Sequence, residues 1–183
     1  RVAGSVGDFW THMSCNHLLN QSYSNGSKGE QFFSLGTRFG KALQMINILR
    51  DIPEDLRFGR CYIPLDSLVD IGFEPKDLLD VNNMKKFRPL YDRYLDITDA
   101  HLDAAIRYIG MLPYTQFRLR AACMLPVLIG QRTVSMLRKE NVLISDNPVK
   151  VSRTEMKELI ARTKRSLIIP GGARRLLEAN RNH

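Results

Sequence analysis

The chain has few of the groups from which independent catalytic or metal sites are usually built. Its 183 residues hold 3 cysteines (Cys15, Cys61, Cys123), an odd and widely spaced set that excludes a disulfide framework and points to a reducing, cytoplasmic setting. The 4 histidines (His12, His17, His101, His183) form no H-E-x-x-H or Cys/His ligand pattern, so a histidine-based zinc centre is excluded. A glycine-rich phosphate loop, a G-x-S-x-G elbow and a dinucleotide fingerprint are all lacking. No run approaches the roughly 20 apolar residues of a membrane span, and the best candidate, Ala121 to Gly130, contains Pro126 and sits between Arg120 and Arg132. Sustained period-2 alternation is missing too, which argues against a sheet.

What is present is helical periodicity in an ordinary globular composition, 44% hydrophobic and 25% charged. The length suits one domain with its own core, 1–183, without repeat or linker. Helices are expected over residues 1–19, about 31–51, 83–111 (as one or two) and 114–140, the last kinked near Pro126. Residues 65–79 read as a short helix or turn broken by Gly72 and Pro75. Leu90, Tyr94, Ile97, Ala104 and Ile109 are expected in the core. Ser152-Arg-Thr-Glu155 is a capping box that starts a further amphipathic helix. Asn20 to Glu30, Ser145 to Pro148 and the tail around Gly171-Gly172 read as loops or loose segments. An all-α bundle follows.

Charge is unevenly placed. Residues 118–183 carry 14 Lys or Arg against 5 Asp or Glu, a net of +9, and the other 117 residues net −1. A basic third of this kind keeps a protein soluble or meets an anionic membrane surface. Nucleic acid is not expected, because aromatic-interleaved basic strands and finger spacings are lacking.

The segment that carries chemistry runs from Gln44 to Pro64. Asn47, Asp51 and Asp55 are spaced i, i+4 and i+8, one stripe along a helix. Amide and carboxylate oxygens are the hard ligands that hold Mg²⁺ together with phosphate. Arg50, Arg57 and Arg60 crowd the segment, and guanidinium suits phosphate oxygens. The run Phe39 to Ile52 is apolar on most sides, so the helix is expected to be buried with Gln44, Asn47, Asp51 and Glu54 lining a wet cavity. Pro53 is expected to bend or end the helix there and re-aim Asp55. On residues 1–19, Ala3, Gly4 and Gly7 form a small-residue face suited to close helix approach or to a flat hydrocarbon.

Asn47, Arg50, Asp51, Glu54 and Asp55, followed by Gly59, Arg60, Tyr62 and Pro64, resemble the second aspartate-rich motif of the squalene/phytoene synthase family, N-x-x-R-D-x-x-E-D then G-R-x-Y-x-P. Val2-Ala3-Gly4-Ser5-Val6-Gly7 and Arg118 to Gly130 resemble two flanking segments of that family. The resemblance implies a helical bundle of the class I isoprenoid synthase type. It implies Asn47, Asp51, Asp55 and Glu54 as ligands for two or three Mg²⁺ ions, and Asp51, Asp55 and Tyr62 as catalytic residues. Arg50, Arg57 and Arg60 would contact diphosphate, with an Arg50–aspartate pair as the competing role for Arg50. Val2, Ala3, Val6, Leu43 and Gln44 would line a hydrocarbon cleft.

The implied reaction is a transfer that joins two allylic prenyl diphosphates head to head through a cyclopropyl diphosphate. Farnesyl diphosphate going to squalene or its precursor is the first reading and geranylgeranyl diphosphate going to phytoene the alternative; NADPH need stays open. The family's first acidic motif is not found, so the expectation is a C-terminal portion with the N-terminal helices missing, inactive by itself. A non-catalytic helical membrane-surface module is the reading from another class. Peripheral contact with an anionic membrane is compatible with either.

Overall fold

A computed structural model describes residues 2–19, 23–144 and 149–180, with the side chains of Val2 and Ala3 outside that description. Among the described residues there are eight α-helices and no strand: α1 (Val2–His17), α2 (Gly26–Arg50), α3 (Ile52–Arg57), α4 (Leu65–Val69), α5 (Met84–Met111), α6 (Phe117–Lys139), α7 (Arg153–Ile168) and α8 (Gly172–Ala179). Short 3₁₀ turns at Pro75–Leu79 and Val81–Asn83 link α4 to α5. The all-α expectation holds. No described helix is long and apolar enough to cross a membrane.

The helices pack largely in chain order, α1 on α2, α2 on α5, α5 on α6, α6 on α7 and α7 on α8. Periodicity explains the centre of the bundle. On α5, Met84, Phe87, Tyr91, Leu95, Thr98, Leu102, Ala105 and Ile109 recur at spacings of three and four and are all buried. Leu90 and Ala104 are in the core as expected, Tyr94 is half-buried, and Ile97 is 46% exposed. Ile97 falls between the two buried rows, so its hydrophobicity alone misplaced it. Residues 83–111 give one helix despite Pro89, which stands in its second turn, close to the end where backbone donors lack partners.

Two readings differ from expectation. The helix carrying the acidic stripe starts at Gly26, five residues before the expected Gln31. Residues 20–22, part of the expected loop, lie outside the described residues, as do residues 145–148. The tail is not loose: Leu176 and Leu177 of α8 are buried, Gln131 donates to the Leu177 carbonyl at 3.0 Å, and Asn180 donates to the Leu128 carbonyl at 3.2 Å. Its apolar pairs are too short for a periodicity signal, and α6 supplies the polar partners. The capping box at Ser152 forms as read, with the Ser152 hydroxyl accepting from the Glu155 amide and the Glu155 carboxylate accepting from the Ser152 amide.

α1 and α2 approach closely because both present glycine. A Cβ built on Gly7 would stand 2.0 Å from the Gly36 carbonyl oxygen, and one on Gly36 2.1 Å from the Thr11 hydroxyl. The small-residue face on α1 therefore serves helix contact. Thr11 is fully buried at this crossing; its hydroxyl bonds the Gly7 carbonyl at 2.8 Å and lies 3.3 Å from the Tyr108 hydroxyl. Tyr108 in turn stacks on Phe32 of α2, rings parallel at 4.4 Å.

Candidate active site

The stripe survives the proline. α2 ends at Arg50 and α3 starts at Ile52, with only Asp51 between them. Asp51 N–H bonds the Asn47 carbonyl at 2.9 Å, and Asp55 N–H bonds the Asp51 carbonyl at 2.9 Å, so helical spacing links all three stripe residues across the junction. Pro53 falls in the first turn of α3, where its fixed φ suits a helix start. The carbonyl it leaves without a helical donor is that of Leu49, and the buried Tyr91 hydroxyl donates to it at 3.0 Å. Tyr91→Phe is accordingly expected to cost about 1–3 kcal/mol by orphaning that carbonyl, read as a lowered thermal midpoint. A midpoint equal to the parent's would show that the junction does not depend on the tyrosine.

The stripe faces solvent. α2 buries Phe32, Leu35, Phe39, Ala42, Ile46 and Leu49 on its core side, while Gln44, Asn47 and Glu54 are exposed and Asp51 and Asp55 are half-buried. The expected burial holds for one broad face, and the polar positions expected to line a wet cavity lie along its open side. Arg50 grips Asp51 with two parallel bonds, Nε to Oδ1 at 2.7 Å and Nη2 to Oδ2 at 2.6 Å. Of the two roles open for Arg50, this geometry fits the orienting partner of an aspartate. The pairing raises the Arg50 pKa still further, so it stays charged.

Downstream, a Schellman turn closes α3. Gly59 has φ of 72°, its N–H bonds the Leu56 carbonyl, and Arg60 N–H reaches back to the Asp55 carbonyl at 2.9 Å. The turn returns the chain so that Asp55, Arg60 and Tyr62 line one small groove with Ile48, Ile52 and Ile63. Burial raises the Asp55 pKa first, the charge of Asp51 next and that of Glu54 also, while Arg60 opposes them. Tyr62 is 50% exposed at the groove's rim, and Arg57 is exposed on α3. Clustered carboxylate and amide oxygens at Asn47, Asp51, Glu54 and Asp55 form a donor set suited to a hard divalent cation. Yet among the described residues no three His, Cys, Asp or Glu side chains converge enough to hold a metal by themselves. The residues fit a cation shared with another acidic surface or with phosphate.

A cavity of about 230 Å³ adjoins the stripe, walled almost entirely by carbon. Val6, Gly7 and Trp10 of α1 face Gly36, Phe39, Gly40 and Leu43 of α2, with Tyr108 of α5 and Ala122, Cys123 and Pro126 of α6 completing it. Gly36, Gly40, Leu43, Asn47 and Asp51 recur at four, three, four and four residues, so cleft wall and acidic stripe occupy one face of one helix, consecutively. Two expected lining residues, Val6 and Leu43, are found here. Gln44 is exposed outside the wall, and Val2 and Ala3 lie outside the described side chains.

Trp10, Phe39, Tyr108, Cys123 and Pro126 were not read from the sequence as lining residues. They are aromatic or apolar residues on four separate helices, and no local pattern distinguishes them from core. Cys123 is held by Trp10 through a hydrogen bond, and burial pushes its thiol up to about 11, which leaves it neutral and inert. The spacing D-x-x-x-D also occurs on α5, at Asp92–Asp96 and Asp99–Asp103. There Arg88 pairs with Asp92 within α5, and Arg138 of α6 bonds Asp96 and Asp99 at 2.7 Å each, so these three carboxylates are taken up in ion pairs.

Comparison with known proteins identifies the family. The sequence profile described as squalene/phytoene synthase matches residues 1–155. The bifunctional lycopene cyclase/phytoene synthase of Arthroderma gypseum is 34% identical over 153 residues, covering 83% of this chain and 25% of that protein. The 15-cis-phytoene synthase of Synechocystis is 31% identical over 118 residues, 61% of this chain and 34% of that one. The phytoene synthase of Rhodobacter capsulatus is 37% identical over 76 residues, 41% and 22% respectively. The chain spans about a third or less of the length of these curated relatives.

Proposed function

Since the chain belongs to the squalene/phytoene synthase family, we propose that it forms the second acidic helix and part of the hydrocarbon cleft of an enzyme joining two allylic prenyl diphosphates head to head. The observation that carries this is the single face of α2 on which an apolar wall, Gly36–Gly40–Leu43, passes directly into Asn47 and Asp51. A prenyl diphosphate has the same polarity along its length.

Asn47, Asp51, Asp55 and Glu54 would hold Mg²⁺ jointly with the diphosphate and with a further acidic motif that the described residues do not supply. When bound, Mg²⁺ neutralises charge on the leaving diphosphate and so favours ionisation. Arg50 fixes both oxygens of Asp51, which sets the direction of that carboxylate before substrate arrives. Arg57 and Arg60 would meet phosphate oxygens, and Tyr62, beside Arg60, would stand near the departing group. The carbon walls around Val6, Trp10, Phe39 and Tyr108 would exclude water from the allylic cation.

The relatives' names favour the C20 substrate. They are phytoene synthases, so geranylgeranyl diphosphate giving phytoene, the alternative at the level of sequence, replaces farnesyl diphosphate giving squalene as the preferred reading. Incubating the full-length protein with Mg²⁺ and each diphosphate, with and without NADPH, and identifying hydrocarbons by mass spectrometry tests it. A C40 product from geranylgeranyl diphosphate is expected. A C30 product from farnesyl diphosphate, with the longer substrate idle, would restore the squalene reading.

A further inference from the structure

The apolar wall on α2 has a definite length. Gly36, the cleft-lining residue nearest the start of α2, stands 15 residues before Asp51, about 22 Å along the helix axis. The wall stops there because α1, α2 and α5 close on one another. A Cβ built on Gly36 would stand 2.1 Å from the Thr11 hydroxyl oxygen, so α1 and α2 are in contact at this level. Tyr108 of α5 fills what space is left.

Tyr108 lines the cavity, whereas Thr11 and Phe32 do not. Those two hold it from behind. Phe32 stacks on the Tyr108 ring, planes parallel and centres 4.4 Å apart, and the Thr11 hydroxyl lies 3.3 Å from the Tyr108 hydroxyl. Phe39, which does line the cavity, meets the same ring edge-on at 5.9 Å. Thr11, Phe32 and Tyr108 are each 0% exposed, so the ring has packed side chains rather than solvent at its back. A ring stacked on one neighbour and hydrogen-bonded to another does not swing aside without opening a void.

This depth can be compared with a prenyl chain. An extended chain gains about 3.8 Å for every three bonds, so each four-bond isoprene unit adds about 5 Å. A diphosphate held at the level of Asp51 and Asp55 starts its hydrocarbon near Asp51. Three units then reach about 15 Å, four about 20 Å and five about 25 Å, against about 22 Å to Gly36. Phe39, 12 residues before Asp51, lies about 18 Å along the same axis, beside the fourth unit only.

We propose that Tyr108, backed by Phe32 and held by Thr11, is the end stop of the cleft and limits the substrate to four isoprene units, an inference that rests on the prenyl-synthase reading of the same cleft. The relatives' names favour a C20 substrate, and the distances along α2 reach that length independently.

The test measures kcat/KM for Mg²⁺-dependent diphosphate release by the full-length protein from the C15, C20 and C25 all-trans diphosphates. The parent is expected to use the C25 substrate at least about tenfold less well than the C20, since even one methylene too many in a closed apolar pocket costs that much. Y108A should raise the C25-to-C20 ratio about tenfold by opening the cleft toward Phe32, while Y108F, which keeps the ring, should leave the ratio unchanged. F39W should act in the other sense, lowering the C20-to-C15 ratio about tenfold by crowding the fourth unit. Thermal melts check each fold, and if Y108A does not fold, F39W and Y108F decide. A general loosening of the core would change all three lengths together, so only the ratios report the stop. An unchanged ratio in folded Y108A or in F39W, or a Y108F shift in the C25-to-C20 ratio, would overturn the proposal. A parent that uses C25 as well as C20, or that stops at C15, would overturn it and leave the synthase reading standing. Release from none of the three would overturn both.

Discussion

Asp51→Asn in the full-length protein is expected to lower Mg²⁺-dependent diphosphate release by about 10³-fold, equivalent to about 4 kcal/mol of transition-state stabilisation. The substitution keeps size and shape, so its effect isolates charge. It removes the carboxylate at the centre of the stripe, four residues from Asn47 and four from Asp55. It also breaks the paired contact with Arg50: a carboxylate accepts both guanidinium bonds at 2.6 and 2.7 Å, whereas an amide offers one acceptor and sets a donor against the other. The guanidinium is then free to swing, and the remaining cation ligands lose the oriented member of the set. Diphosphate release at saturating substrate, with circular dichroism to confirm the fold, reads the outcome. A rate within tenfold of the parent would remove Asp51 from the metal-binding role and leave the stripe as a solvated face.

Gly7→Ala is expected to lower stability by about 3 kcal/mol, the upper range for overpacking a rigid contact. A chain of this size should then melt about 10 °C lower. The added Cβ would meet the Gly36 carbonyl oxygen at 2.0 Å, the Gly36 carbonyl carbon at 2.9 Å and the Gly40 nitrogen at 3.0 Å. All three are backbone atoms of α2 and cannot rotate away. Relief requires α1 to move off α2, which also separates Thr11 from Tyr108 and opens the cleft that Gly7, Gly36 and Gly40 share. Gly110→Ala is the control, since a Cβ there meets nothing within 4 Å and the exchange favours the helix. A Gly7→Ala melt within about 2 °C of the parent would show that the crossing yields more readily than packed backbone allows.

How much of this was legible beforehand follows from the range of each interaction. The stripe, the capping box at Ser152, the proline at the α2–α3 junction and the cation-rich last third are short-range features, set by residues three to eight apart or by composition. All four are present in the structure, and the helix ends beside Pro53 as expected; the Asn47–Asp51–Asp55 spacing still persists because Tyr91, 42 positions on from Leu49, supplies the lost donor to the Leu49 carbonyl. Burial was less legible. An apolar run on α2 suggested a buried helix with its polar stripe on a wet cavity, but hydrophobicity does not state which neighbours cover a face, and the polar side of α2 is open to solvent. Ile97 and the docked tail erred for the same reason.

By itself, then, the sequence determined an all-α chain, the residues able to offer oxygen to a hard cation, and the family to which that pattern belongs. Helical period and side-chain chemistry are properties of neighbouring residues, so they are written locally. Only the tertiary structure decided the cleft and the Arg50–Asp51 grip. The cleft depends on α1, α2, α5 and α6 converging over separations of up to 120 residues, from Val6 to Pro126. The grip depends on a rotamer. Those are outcomes of packing, and packing is fixed by the sum of many distant contacts that no single segment encodes.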